Sequence, residues 1–159
     1  MSLILRRSLI FITLLAGGLV LYSLWYGIKA DRYEETAIPY IDSVMPALTS
    51  WQPERLIPVL SPQAKAEFAN EKVRAAYRSL GRLGQFQAME KPRFIASLAD
   101  SSEQLGDVEL VDYEVEVRFD SGPALLKIRL VADGHSYHVR RFGFHSEIFA
   151  AGSSGAVRE

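Results

Sequence analysis

The sequence predicts an α+β domain carried behind one apolar N-terminal helix, on three patterns. Residues 8–28 contain no charged side chain. Between residues 33 and 84 apolar side chains recur at helical spacing. From Gln85 onward the period drops to two, most plainly in "LVDYEVEVRFD". Helical segments come first and strands follow, an order that favours α+β over the alternating α/β class.

Composition narrows the function classes. A chain of 159 residues with 48% apolar and 23% charged side chains supports one folded domain plus one extra segment. Its net charge is −1; without Arg6 and Arg7, 16 basic and 19 acidic side chains remain. That balance lacks the basic surplus that draws a protein to nucleic acid. With no cysteine, disulfides, thiol nucleophiles, thiolate metal sites and lipid attachment through cysteine are excluded.

The first element is a membrane span. "RRSLIFITLLAGGLVLYSLWYGIK" holds the uncharged run of 21 residues, 8–28. As a helix it extends roughly 31 Å, close to the ~30 Å of bilayer hydrocarbon. Arg6 and Arg7 lie in a stub of residues 1–7, while Lys29, Asp31, Arg32, Glu34 and Glu35 follow with mixed sign. The positive-inside bias leaves the N-terminus cytoplasmic and exports the remainder. Tyr22, Trp25 and Tyr26 fall at the outer interface. A cleaved signal peptide would place small residues before the cut, but Ala16, Gly17 and Gly18 sit mid-run. The segment therefore reads as an uncleaved anchor, and its arginine pair as an orientation signal rather than a twin-arginine export signal. Small residues four apart, Thr13 with Gly17 and Ser23 with Gly27, would let a second span approach.

After the span, Tyr33, Ala37, Tyr40, Val44, Leu48 and Trp51 mark an amphipathic helix. Pro39 and Pro46 predict that it is kinked or broken. "SWQPERLIPVL" and "LSPQAKAEF" give two short helical pieces, the second capped by Ser61 with Pro62 in its first turn. "NEKVRAAYRSL" is a further helix with Asn70 as cap, Val73, Ala76, Tyr77 and Leu80 on one face, and Gly81 and Gly84 at its end. "GQFQAMEKPRFIASL" is a strand, broken or at an edge because of Pro92. "ADSSEQLGD" is a loop. Two long strands follow, and Asp133-Gly134 is a hairpin signal for a last one. The expected sheet has about four strands. Residues 33–149 form the domain, and 150–159 a frayed tail.

Register gives the charged positions a role. A turn at Ser121-Gly122 sets Tyr113 opposite Leu130, Val115 opposite Ile128 and Val117 opposite Leu126. The wet face then matches Glu114 to Arg129 and Glu116 to Lys127. The acidic run Asp112, Glu114, Glu116 thus reads as a solvated strand face. In the last strand, "DGHSYHVRRFGFHSEIF", Tyr137 faces Leu130, Val139 faces Ile128, and His138 and Arg140 lie on the wet face. Arg141 falls inward, where an unpaired guanidinium costs several kcal/mol to desolvate. Either a bulge between Arg140 and Arg141 turns it outward and swings Phe142 and Phe144 onto a new face, or it meets an anion. In the second case Arg141 binds a carboxylate or a partner's acidic residue.

Little else suggests chemistry. His135, His138 and His145 do not converge on an extended chain, so no metal site is expected. No GxSxG, P-loop, HExxH or GxGxxG is present, and no cofactor is implied. Trp51, Tyr113 and Tyr137 are candidates to line a ligand or partner site with Arg141, although aromatics at core spacing are usually core.

The order of kinked helix, "WQPERLIPVLSPQAKAEF", a helix ending in "SLGRLG", then a strand meander resembles the NTF2-like (cystatin-like, SnoaL-type) superfamily over residues 33–149. W-x-P-x-x-L, L-S-P and L-G-x-L-G look like small membrane-anchored bacterial members. The resemblance implies helices packed into the concave face of a curved antiparallel sheet. Such families divide into pocket enzymes, ligand binders and pocketless assembly domains, the enzymes with an acid–base pair inside the cone. Here Asp112, Glu114 and Glu116 face outward. One span before such a cone is also similar to inner-membrane assembly subunits of type IV secretion machines. The expected protein is therefore a bacterial inner-membrane, single-pass chain with a periplasmic NTF2-like domain. It is expected to act as a non-catalytic interaction module for an envelope protein or a second copy of itself. The alternative is a small-molecule pocket in the cone interior.

Overall fold

The computed structural model describes residues 16–18, 33–100, 108–133 and 136–149. The expected stub 1–7 and tail 150–159 lie outside the described residues, as does the expected span 8–28 apart from 16–18. Among the described residues no helix is long and apolar enough to cross a membrane. The chain divides into two compact units, 1–36 and 37–159. In the first, residues 16–18 and 33–36 are helical.

The second unit is α+β with a five-stranded antiparallel sheet. Residues 33–48 are helical without interruption (α1), so the expected break at Pro39 or Pro46 does not occur. Each interior proline costs a helix about 3 kcal/mol. Burial of Ile41, Val44, Met45 and Leu48, none more than 3% exposed, contributes roughly 1.5–3 kcal/mol apiece and offsets that cost. Three short helices follow: α2 (Pro53–Leu56), α3 (Pro62–Phe68) and α4 (Glu71–Ser79). The starts of α3 and α4 are fixed as the side chains predict. Ser61 Oγ accepts the Ala64 amide at 3.3 Å, and Asn70 Oδ1 accepts that of Lys72 at 2.9 Å. A 3-10 turn (Leu80–Leu83) ends in Gly84 at φ +81°, where an added Cβ would lie 2.9 Å from Asp120 Cβ.

The strands are β1 (Phe86–Met89), β2 (Arg93–Asp100), β3 (Val108–Phe119), β4 (Gly122–Asp133) and β5 (Ser136–His145). Pro92, which has no amide hydrogen, divides one expected strand into β1 and β2, so the sheet has five strands rather than four. Both pair with β3, which pairs with β4, and β4 with β5. The β3–β4 turn is Asp120-Ser121, since Phe119 already faces Gly122. Tyr113 therefore faces Ile128, Val115 faces Leu126, Val117 faces Ala124, Asp112 faces Arg129 and Glu114 faces Lys127. This is two residues from the expected register, and an even shift keeps every side chain on its face. The turn is placed from outside the hairpin. Asp120 Oδ2 accepts the Gln85 amide at 2.9 Å, and Ser121 Oγ donates to the Leu83 carbonyl at 2.8 Å.

In β5, Val139 faces Leu130 and Arg141 faces Arg129, leaving Arg140 as an extra residue. Tyr137 faces Ala132 instead of Leu130. Arg140 does not lie on the wet face; its Nη1 is 2.9 Å from Glu67 Oε1 in α3, an ion pair whose angle falls short of a hydrogen bond. After this bulge Phe142 and Phe144 point inward and Arg141 outward. The edge of β5 is met by a parallel bridge from Leu60, with the Ser61 amide on the Val139 carbonyl at 2.9 Å.

The core lies between the helices and the inner sheet face. Val111, Tyr113, Val115, Leu126, Ile128, Leu130 and Val139 are at most 2% exposed there. Trp51 ties helix, turn and sheet together. Its Nε1 donates to the Gly84 carbonyl at 3.0 Å, and its ring centroid lies 5.6–6.0 Å from those of Phe144, Phe119 and Tyr77. These contacts hold a non-glycine residue at φ 57°, a conformation costing about 1–3 kcal/mol.

Trp51→Ala in the full chain in detergent is expected to lower the unfolding free energy by about 3–5 kcal/mol. A urea titration followed by circular dichroism checks this; a loss below about 1 kcal/mol would show that the ring is not the link.

Candidate functional site on the outer face of the sheet

The face of the sheet away from the helices is built in rows across the ladders. One row is Arg93–Glu114–Lys127–Gly143, the next Ala96–Asp112–Arg129–Arg141, and the third Leu98–Leu110–Val131–His138. The first two rows are charged and the third is mainly apolar. The alternation of β3 and β4 sends these side chains outward because their neighbours fill the core.

The carboxylates in the charged rows are already engaged. Asp112 takes two bonds from Arg129, Nε–Oδ1 at 2.6 Å and Nη2–Oδ2 at 2.7 Å. Such a forked pair fixes both partners in one geometry. Hydrogen bonding to Asp112, against partial desolvation, raises the pKa of the Arg129 guanidinium further. Glu114 is shared by Lys127 at 3.2 Å and by Arg93. The hydrogen bond from Lys127 is the largest cause holding the Glu114 carboxyl below its ordinary value; desolvation opposes it, and the charges of Lys127 and Arg93 add to it.

Arg141 is different. It is exposed and forms no ion pair among the described residues, although Arg129 sits directly opposite on β4. Opposed residues have Cα atoms only ~4.5–5.5 Å apart, and like charges there repel. Beside it Gly143 carries no side chain, and an added Cβ would meet nothing within 4 Å. Glycine inside a strand is less stable than alanine by roughly 0.5–1 kcal/mol. A groove of about 390 Å³ lies here, bordered by Asp112 and Glu114 with Lys127, Arg129, Arg141 and Gly143, and also by Ile95 and His145. Ile95 and Leu98, on the same face, are 37% and 51% exposed.

The structure does not gather the four candidates read from the sequence. Arg141 borders the outer groove, whereas Tyr113 is buried in the core and the half-buried Trp51 packs against Phe119, Phe144 and Tyr77. The Tyr113 ring, 1% exposed, lies 5.8 Å from that of Phe94. Tyr137 turns to Tyr40, with centroids 5.7 Å apart. Burial pushes the Tyr40 phenol up to about 12 while its hydroxyl donates to the Val59 carbonyl at 3.4 Å. His138 ends the apolar row and His145 borders the groove, while His135 lies outside the described residues. Among the described residues no three His, Asp or Glu side chains stand close enough to hold a metal ion. Lys127, Arg129 and Gly143 escaped notice as site residues. A glycine flanked at two-residue spacing by Arg141 and His145 was the available signal.

Comparison with protein-family models, curated proteins and solved structures finds no match to this chain.

The depressed Glu114 carboxyl fixes a pH dependence. Its contribution is complete above the unfolded value near 4.5 and is lost as pH falls through the lower folded value. The melting temperature of Glu114→Gln is expected to stay below wild type from neutral pH down to that value, and the gap to close in stronger acid. A gap that persists unchanged in acid strong enough to protonate this carboxyl in the folded domain would exclude this origin.

Proposed function

We propose that residues 33–149 form the exported NTF2-like domain of a bacterial inner-membrane protein anchored by residues 8–28, with its N-terminus cytoplasmic. The domain acts as a non-catalytic interaction module of the cell envelope. It docks an envelope protein or a second copy through the outer face of its sheet. The observation that carries this reading is the contrast between the faces. The inner face, where a pocket domain would hold its ligand, is occupied by Trp51, Phe119 and Phe144 in mutual aromatic packing and by the buried Tyr113 against Phe94. The outer face offers Ile95, Leu98 and Arg141 to solvent.

Docking on such a face divides the work. Burial of the exposed Leu98 and Ile95 supplies affinity, and the charged rows supply orientation and discrimination. The anchor confines the surface to two dimensions and raises its effective concentration near membrane partners.

A photo-crosslinking amino acid at position 98 of the full chain, in native membranes, tests this; the same probe replacing exposed Glu54 on α2 is the control. A discrete protein adduct from position 98 and none from position 54 is expected, its mass distinguishing a partner from a second copy. No adduct at position 98, or adducts to lipid only, would sink the reading.

A further inference from the structure

We propose that the groove over Gly143 seats an acidic side chain, an aspartate or glutamate of the docking protein, with Arg141 as its counter-ion. This rests on the interaction reading above and adds the chemistry the partner presents.

Gly143 is the first reason. Its backbone is not in the left-handed region, and positive φ among the described glycines belongs to Gly84 and Gly122. It pairs in the ladder with Lys127, and nothing crowds the place of its missing side chain. Neither backbone geometry nor packing calls for glycine here. A strand glycine accompanies a bulge or bend or a place where another molecule comes close, and the bulge of β5 is three residues off at Arg140, not at Gly143 itself.

Charge is the second reason. Of the three cations bordering the groove, Arg129 is taken by Asp112 and Lys127 by Glu114, while Arg141 has no carboxylate among the described residues. Both Asp112 oxygens accept from Arg129, and no ion pair joins Asp112 to Arg141 among the described residues. A carboxylate placed over Gly143 would meet the guanidinium of Arg141 with Lys127 directly across the ladder. It would also relieve the opposition of Arg129 and Arg141.

The apolar neighbours decide the source of the carboxylate. Ile95 borders the same groove, and Leu98 stands exposed on the same strand. A protein segment supplies apolar contacts beside its acid, as this face requires, whereas a free anion leaves Ile95 and Leu98 wet.

The test uses the full chain in detergent and a panel of capped, fluorescent peptides. Each carries one glutamate, with leucine at one to four residues' distance, and has a twin with glutamine in its place. At least one glutamate peptide is expected to bind, with its twin about 10-fold weaker or worse. Arg141→Gln and Gly143→Leu should each bring the glutamate peptide down to the level of its twin. Gly143→Leu adds its side chain to open space, so an undiminished melting temperature separates a blocked seat from an unfolded domain.

Equal binding of the twins, indifference to Arg141→Gln, or no binding across the panel would overturn the acidic seat. So would Arg141-dependent binding to phosphatidylglycerol vesicles in place of the peptides, which would make it a lipid headgroup site. The crosslink from position 98 distinguishes the two failures. If it persists while the peptides fail, the interaction reading stands and the acidic seat falls; if it never forms, the interaction reading itself has failed.

Discussion

Side chains alternate along a strand, so β5 can turn both Tyr137 with Val139 and Phe142 with Phe144 toward the core only if its register slips by one between the two pairs. Arg140 is that slip. Without it, Phe142 and Phe144 would face water while Arg141 and His145 pointed at the core. An inward Arg141 would have to find an anion or bear several kcal/mol of desolvation. The bulge sits on an edge strand, where a skipped ladder position disturbs one neighbour rather than two. Its surroundings hold it: the Val139 carbonyl accepts the Ser61 amide, and the guanidinium of Arg140 reaches Glu67.

Both faces of the sheet inherit their character from this point. Inward, Phe144 meets Trp51 and Phe119, and Phe142 meets Tyr77, so the aromatic cluster closes only when β5 delivers both rings. Trp51 then joins the end of α1 to Gly84 and to the sheet, connecting segments far apart in sequence. Outward, the same slip sets Arg141 beside Arg129 and opens the groove over Gly143. Sealing the interior and forming the outer groove are two consequences of one backbone event.

The parts of this legible in the sequence are those fixed by local pattern. The alternation of Val111 through Phe119 assigns both faces of β3, and Ser61 and Asn70 mark helix starts because a cap needs only its own turn. The need for a bulge near Arg141 is also legible, from the cost of burying its charge. Which residue is extra is not, because that depends on Glu67 and Ser61, contacts made across the fold. The β3–β4 turn shows the same limit. Ser121-Gly122 is the better local turn signal, yet Asp120 and Ser121 are held to Leu83 and Gln85, which hairpin statistics do not contain. Likewise Pro39 and Pro46 speak for a broken helix, while the burial that keeps α1 continuous is tertiary. The outer groove needs all three ladders in register at once, so its residues look like a solvated face when read strand by strand.

The charged rows of the outer face engage their own carboxylates. An exposed ion pair contributes only ~0–1 kcal/mol to stability, so Asp112–Arg129 and Glu114–Lys127 are weak reasons for the fold to exist. Their value lies in what they prevent. With both Asp112 oxygens held by Arg129 and Glu114 divided between Arg93 and Lys127, neither carboxylate is free to swing over and neutralise Arg141. Arg141 is left exposed and without an ion pair among the described residues, beside a glycine that leaves room. A partner acid meeting this arrangement need not first displace an internal one.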